Sequence, residues 1–333
     1  MPVVDFLSTN ISDLLSYPFD ANKRIFGVYL LGAILLALPV FWRISTDKSV
    51  KGFVKFLFPI DIYLSKSAKH DYLLLVCNKL LKAILFAPLL FTMVPVALGL
   101  SDFLEKIFGT IQPITETLWV VIAVFTVLLF ILDDLTRFIL HLVLHKVPIL
   151  WEFHKVHHSA SVMTPFTIYR SHPVESYLYA CRMALTQGIA VGIGYYLFGP
   201  NLKMFDVLGA NVFVFAFNVM GSNLRHSHIW LSWGDRVENW FISPAQHQVH
   251  HSIAIEHRDT NLGSALSIWD RAYGSLIKAS SVRQLTIGVS GEHGHDTLVG
   301  IYVSPFIGVY KKLFKRKAKP PISASHSDKK INQ

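Results

Sequence analysis

Cysteine is almost missing from this chain: among 333 residues there are only Cys77 and Cys181, both inside apolar stretches. That excludes a disulfide framework and a cysteine-based zinc site, and leaves packing as the expected role of both thiols. Charge is scarce too, at 16 % of residues against 52 % hydrophobic, with a positive mean hydropathy. This balance lies beyond that of a soluble globular domain and predicts a membrane protein. A nucleotide loop is missing as well, because Gly192-x-Gly194 lies within an apolar run and not at a strand-to-helix turn. Glu292-xx-His295 is the only Glu-xx-His in the chain, whereas a carboxylate di-iron bundle needs a pair of them. Met1 to Asn10 has no basic region followed by an apolar core and a small-residue site, so no cleavable signal peptide is expected.

Acidic residues are outnumbered 31 to 22 by lysine and arginine, which gives a net charge of +9. The excess sits in two short segments beside apolar runs, a pattern that fits a membrane surface and excludes nucleic acid as the expected partner. Apolar runs that approach the length needed to cross a ~30 Å hydrocarbon layer occur at about Phe26 to Trp42, Ala83 to Leu100, Ile114 to Leu132, Met183 to Phe198 and Met204 to Met220. The segment between the first two carries Arg43, Lys48, Lys51, Lys55, Lys66 and Lys69 and is expected in the cytoplasm by the positive-inside rule. The second and third runs then form one hairpin through the exterior. The fourth and fifth, separated by Gly199-Pro200-Asn201-Leu202-Lys203, form another, so both 133–182 and everything after Gly221 are expected on the cytoplasmic side.

The fold class expected is all-α: an integral membrane helical bundle of about four to five spanning helices with a cytoplasmic histidine-rich helical cap. Residues 1–132 would form the N-terminal membrane helices with their basic segment. Residues 133–276 would be the catalytic part, including a membrane hairpin at about 183–220, and 277–310 an extension. Residues 311–333, rich in lysine with two prolines, read as a basic disordered tail.

What the chain has in plenty is histidine. Twelve of its sixteen histidines fall between His141 and His257, so their distribution needs a cause. Four groups stand out: His141-xxx-His145, His154-xx-His157-His158, the pair His226 and His228, and His247-xx-His250-His251. Residues three and four apart share one helix face, so each group can aim two or three imidazoles at a common point. A lone histidine on such a face is more often a hydrogen-bonded core residue than a ligand, but three repeated motifs together point to metal. Neutral imidazole binds Fe, Zn, Cu and Ni, and nine or more ligands exceed what a single tetrahedral or octahedral ion can use, so two ions are implied. The charge-derived topology places all four groups on one membrane face. His172, beside a proline, and His228 and His257 fit ordinary polar roles or hydrogen bonding to a ligand. His70, His293, His295 and His326 read as loop or tail residues.

From Asp134 to Ser275 the sequence resembles the fatty acid hydroxylase and sterol desaturase superfamily of membrane di-iron enzymes. The resemblance runs from Asp134 and His141-xxx-His145 through Leu150-Trp151-Glu152-Phe153-His154-Lys155-Val156-His157-His158-Ser159 and Arg170-Ser171-His172-Pro173. It continues at Asn223-Leu224-Arg225-His226-Ser227, Pro244-Ala245-Gln246-His247-Gln248-Val249-His250-His251-Ser252 and Asn261-Leu262-Gly263. It closes at Ile268-Trp269-Asp270-Arg271-Ala272-Tyr273-Gly274-Ser275. Leu142 stands where an arginine commonly follows the first histidine, and Leu262 where an aromatic is frequent, departures that blur the subfamily and leave the histidines intact.

The resemblance implies metal ligands at His141, His145, His154, His157, His158, His226, His247, His250 and His251, with His228 the alternative to His226. It implies two iron ions, O2 as co-substrate, and hydroxylation or desaturation of a C–H bond in a membrane lipid such as a sterol, fatty acyl or sphingoid lipid, with hydroxylation favoured. Asp134 is expected as the partner of a ligating imidazole N–H, and Asp270 as structural. Electrons must come from a separate cytochrome b5-like or ferredoxin-type protein, since the chain shows no motif for a redox cofactor of its own. The expected location is a bacterial inner membrane or endoplasmic reticulum, with the histidines facing the cytoplasm. The rival class is a metal-binding membrane protein without redox turnover, such as a zinc-occupied transporter or scaffold. A transporter should carry ionisable residues within its spans, and here they are nearly free of them.

Overall fold

The computed structural model of the chain describes residues 3–85, 92–291 and 293–314. In chain order its helices are α1 Val3–Ser16, α2 Gly27–Ile44, α3 Val50–Leu57, α4 Ile60–Tyr63, α5 Lys66–Leu85, α6 Met93–Phe108, α7 Leu118–Lys146, α8 Pro148–His158 and α9 Pro173–Phe198. A two-stranded antiparallel hairpin follows, β1 Asp206–Val207 and β2 Ala210–Asn211, with Asp206 opposite Asn211 and Val207 opposite Ala210. Then come α10 Val212–Val219, α11 Pro244–His250, α12 Ile268–Tyr273 and α13 Leu298–Phe314. The all-α expectation holds apart from this one hairpin.

Among the described residues, two helices, α2 and α7, are long and apolar enough to cross a membrane. Their apolar side chains largely face outward: Leu31, Leu35 and Trp42 on α2 and Trp119, Val124 and Val127 on α7 are all exposed. Water penalises contiguous apolar surface of this kind, and lipid is the solvent it fits. The 29 residues of α7 span about 43 Å at 1.5 Å per residue, more than a ~30 Å hydrocarbon layer. Its last turns, with His141 and His145, therefore reach beyond the apolar stretch and carry the polar site at one end of the bundle.

The other expected runs fare differently. The third enters α7 only from Leu118 on, and the fourth forms the C-terminal part of α9, which Gly199 ends with a positive φ of 72°. Of the second run, residues 86–91 lie outside the described residues, and the rest is shared between α5 and α6. The fifth, Met204 to Met220, is not one helix. The hairpin occupies its first part, with Leu208 and Gly209 both at positive φ in its turn. Asn211 then caps α10 by accepting from the Phe213 N–H at 3.0 Å. Eight residues of α10 reach about 12 Å, too little to cross the layer alone. The basic segment after α2 is also no open loop, since it folds into α3, α4 and α5. Of the basic tail, Lys311 to Phe314 end α13, and 315–333 lie outside the described residues.

Close helix approach is set by small residues. A Cβ on Gly188 would lie 2.5 Å from Val96 Cβ, and one on Gly192 would lie 2.8 Å from the Ala97 carbonyl oxygen. These glycines, four apart on α9, let α6 pack backbone to backbone, the small-xxx-small device of membrane helices.

Candidate metal centre

Each histidine group arrives on a locally specified element. α8 begins with Pro148, whose missing N–H costs nothing in the first turn, and it carries His154, His157 and His158. α11 starts with Pro244 behind a reciprocal cap, in which Ser243 Oγ accepts from the Gln246 N–H at 3.1 Å and Gln246 Oε1 accepts from the Ser243 N–H at 3.0 Å. It carries His247 and His250, with His251 at its C-cap. α7 contributes His141 and His145, and a 3-10 turn at Ser222–His226 contributes His226.

These nine side chains converge in two groups. One contains His141, His145, His154, His158 and His250, and the other His157, His226, His247 and His251, with the potential ligand atoms of each group within 4.8 Å of one another. All nine rings are buried or nearly so. Stacked His158 and His251, with ring centroids 4.6 Å apart, join the two groups.

The outer nitrogens have partners that fix the tautomers. His141 Nδ1–H donates to the Leu262 carbonyl at 2.7 Å, His157 Nδ1–H to the Arg170 carbonyl at 3.1 Å, and His250 Nδ1–H to the Thr260 carbonyl at 2.8 Å. His154 Nδ1 faces Glu175 Oε1 at 2.9 Å and His145 Nδ1 faces Asp259 Oδ1 at 3.1 Å. Carbonyl and ionised carboxylate oxygens can only accept, so the inward Nε2 of these rings carries a lone pair and no proton, for His154 in the ionised form of Glu175, whose carboxyl burial pushes up to about 8.

His141 Nε2 and His154 Nε2 are nevertheless 3.1 Å apart, with no proton between them to share. His158, His226 and His251 bring their own Nε2 atoms within 3.1–3.3 Å of a neighbouring Nε2, and the buried Nε2 atoms of His145 and His250 have no hydrogen-bond partner among the described residues. Facing lone pairs repel and buried unpaired acceptors are costly. A cation relieves both, and nitrogens bound at ~2.1 Å to one ion at right angles would stand about 3 Å apart, the spacing seen here. The residues present therefore fit a histidine-bound metal pair.

Electrostatics point the same way. Burial pushes His154 down to about 3 and His157 down to about 4, and burial together with neighbouring imidazoles holds His158, His226, His250 and His251 well below the usual histidine range. Neutral imidazole is the form that binds metal. His247 differs in its partner. Arg225 Nη2 donates to its Nδ1 at 2.8 Å, so after burial the guanidinium is the largest cause of its lowered basicity.

Of the residues outside the nine, His228 turns away and donates from Nε2 to the Phe56 carbonyl at 2.7 Å, so it is His226 that joins the cluster. His172 caps α9, accepting from the Val174 N–H, and its Nε2 faces the Tyr302 carbonyl. His257 bonds Ser252. Asp134, expected beside an imidazole, touches none. It accepts from the Ala265 and Leu266 N–H groups at 2.8 and 3.0 Å and from Trp269 Nε1 at 2.9 Å, pinning the 261–269 segment to α7. Asp270 is structural, accepting from the Leu262 and Gly263 N–H groups at 2.7 Å each and so holding the carbonyl that receives His141. His295 lies in irregular chain as expected and is buried there, and His326 and Glu292 lie outside the described residues.

Sequence reading missed Glu175, Asp259 and Arg225, the side chains that orient His154, His145 and His247. Arg225 stands inside a recognised block, but no spacing rule links Glu175 to a histidine 21 positions earlier. Arg170 was also within a block without a role. Its guanidinium pairs with buried Asp71 on α5 at 2.9 Å, which fixes the carbonyl that receives His157.

Two cavities border the cluster and share no lining residue. The first, about 270 Å³, meets both groups at His141, His154, His157, His226 and His247. The second, about 510 Å³, meets only the first group, at His145, His158 and His250.

The comparisons agree with this geometry. Among characterised proteins, the ornithine lipid hydroxylase OlsE of Rhizobium tropici is 28 % identical over 162 residues, 49 % of this chain and 44 % of the relative. The match thus spans less than half the length of that relative. No solved structure matches the chain. A fatty acid hydroxylase model matches residues 126–275, the segment that supplies all nine clustered histidines.

Proposed function

We propose that the protein is a membrane lipid hydroxylase that holds two iron ions, one in each histidine group, and uses O2 with electrons from a separate donor. The observation that carries this reading is the convergence of buried Nε2 atoms at 3.1–3.3 Å, with His141, His154 and His157 turned by their Nδ1 partners to present a lone pair there. His141, His145, His154, His158 and His250 would hold one ion and His157, His226, His247 and His251 the other. When bound, the pair supplies activation of O2 toward an unactivated C–H bond, chemistry that side-chain acids and bases do not provide.

The chain's own residues position and protect that chemistry. Leu262, Arg170 and Thr260 carbonyls and the Glu175 and Asp259 carboxylates lock five imidazoles in the ligating tautomer. Burial of the rings excludes water. The first cavity, which reaches both groups, suits the substrate. The second, bordered by Lys146, Lys155, Arg258 and Lys312, suits the approach of an acidic cytochrome b5-like or ferredoxin-type donor. The family match and the named activity of the relative favour hydroxylation over desaturation, and the basic segment after α2 favours a cytoplasmic site.

The test is metal analysis joined to turnover. Purified protein should retain two iron ions per chain and show reductant-dependent O2 uptake with membrane lipid, and lipid extracts from cells expressing it should gain a species heavier by one oxygen. A species lighter by two hydrogens would reassign it as a desaturase. Tightly held zinc with no O2 uptake and unchanged lipids would overturn the reading.

A further inference from the structure

The first cavity is more cationic than metal binding requires, and this bears on the substrate of the hydroxylase proposed above. Arg24, Lys82, Arg137 and Arg225 line it, against Glu175 as its only carboxylate. Glu175 is engaged with His154, and Arg137 is paired with Asp133, which Arg182 also contacts. The other three cations have no carboxylate partner among the described residues. Arg24 bonds the neutral amide oxygen of Asn218, and Arg225 donates to the Ser264 carbonyl at 2.7 Å and to His247. Buried Arg225 also leaves its Nε without a partner. Gathering uncompensated cations in a partly enclosed space is unfavourable, and two metal dications beside them would raise the positive potential further. Such an excess is relieved when a ligand brings the missing negative charge.

We propose that the substrate lipid carries an anionic group, a carboxylate or a phosphate, which binds in this cavity against Arg24, Lys82 and Arg225 beside the histidines. The inference rests on the hydroxylase reading only for calling the ligand a substrate. The anion site itself stands on the charges.

The test is equilibrium binding by titration calorimetry to the full chain in a neutral detergent, so that turnover plays no part. The probes are N-palmitoylglycine, its methyl ester and dipalmitoyl phosphatidate. At least one acid should bind about tenfold more tightly than the ester, and the tighter of the two acids identifies the anion as carboxylate or phosphate. Lys82→Met, at a side chain with no hydrogen bond or ion pair among the described residues, and Arg24→Gln should each remove most of that preference. Lys51→Met, at an exposed basic residue on α3 that does not line the cavity, should leave it intact and so exclude general attraction to a chain of net charge +9. Equal binding of acid and ester, or identical behaviour of Lys82→Met and Lys51→Met, overturns the proposal. A chain that selects the acid yet never consumes O2 would sink the hydroxylase reading alone, whereas one that hydroxylates lipid yet binds the ester equally would sink the anion site alone.

Discussion

Replacing His226 by alanine removes an imidazole whose Nε2 lies 3.2 Å from that of His157 and 3.1 Å from that of His247. The second group then falls from four rings to three, and His226→Ala should lose one of the two metal ions on purification. His228→Ala breaks only the bond to the Phe56 carbonyl, at about 1 kcal/mol, and should keep both. Metal content by mass spectrometry separates the two, and loss of metal from His228→Ala instead would reverse the assignment. The resemblance favoured His226 and spacing left His228 as its alternative, because two positions apart within irregular chain says nothing about direction. Glu175 poses the complementary case. Glu175→Leu removes the oxygen that holds His154 in its tautomer and should weaken metal binding by roughly 10- to 100-fold. Glu175→Gln, which keeps an acceptor oxygen, should recover much of that loss in a competition titration with a chelator. Equal weakening in both variants would show that the charge, and not the acceptor, is what His154 needs.

Between elements, the segment carrying Leu262 and Gly263 is held by two aspartates acting from different sides. Asp134 reaches it from α7, and Asp270 closes it from its own helix, α12. Asp270→Ala would leave two buried N–H groups unpaired and the Ser275 hydroxyl with only its 3.5 Å contact to the residue 270 carbonyl, a loss of about 3 kcal/mol or more, and should lower the melting temperature by several degrees. The displaced Leu262 carbonyl should also loosen His141, so the first group should release its ion more readily than the second. A variant with lowered stability but normal metal retention would confine Asp270 to scaffolding. The aspartates show where sequence reading stops. Helix-borne groups such as His154-xx-His157-His158 declare their shared face through the 3.6-residue period, and the structure brings them together as expected. Asp134 sits on such a helix as well, yet its partners are backbone amides 131 and 132 residues away, which no local period encodes. The fifth apolar run was misjudged for a related reason. Hydropathy sums side chains over a window, whereas the tight turn at Leu208 and Gly209 and the Asn211 cap break the run through backbone geometry that the sum ignores.

For the whole molecule, burying so many imidazoles ties metal binding to acid stability. In the unfolded chain each histidine takes up a proton near pH 6.5, whereas in the folded, metal-free protein burial holds His154 at about 3 and His157 at about 4. Between those limits the unfolded state binds more protons than the folded one, so unfolding becomes easier as the pH falls and stability rises with pH. Each such ring contributes up to about 1.4 kcal/mol per pH unit, and two of them alone approach 3 kcal/mol per unit, a large part of the 5–15 kcal/mol that typically separates folded from unfolded. Chelator-stripped protein should therefore keep a level melting temperature from pH 8 to about 7 and lose it steeply below about 6.5. Metal-loaded protein should begin its decline at lower pH, because protons must first displace the ions from the same nitrogens. Thermal melts of both forms across pH 8 to 4.5 make the comparison. Coincident curves would mean that no metal occupies these rings. A stripped protein as stable at pH 5 as at pH 7 would mean that the rings are already solvated and protonated, a state incompatible with the buried, neutral imidazoles on which the metal centre rests.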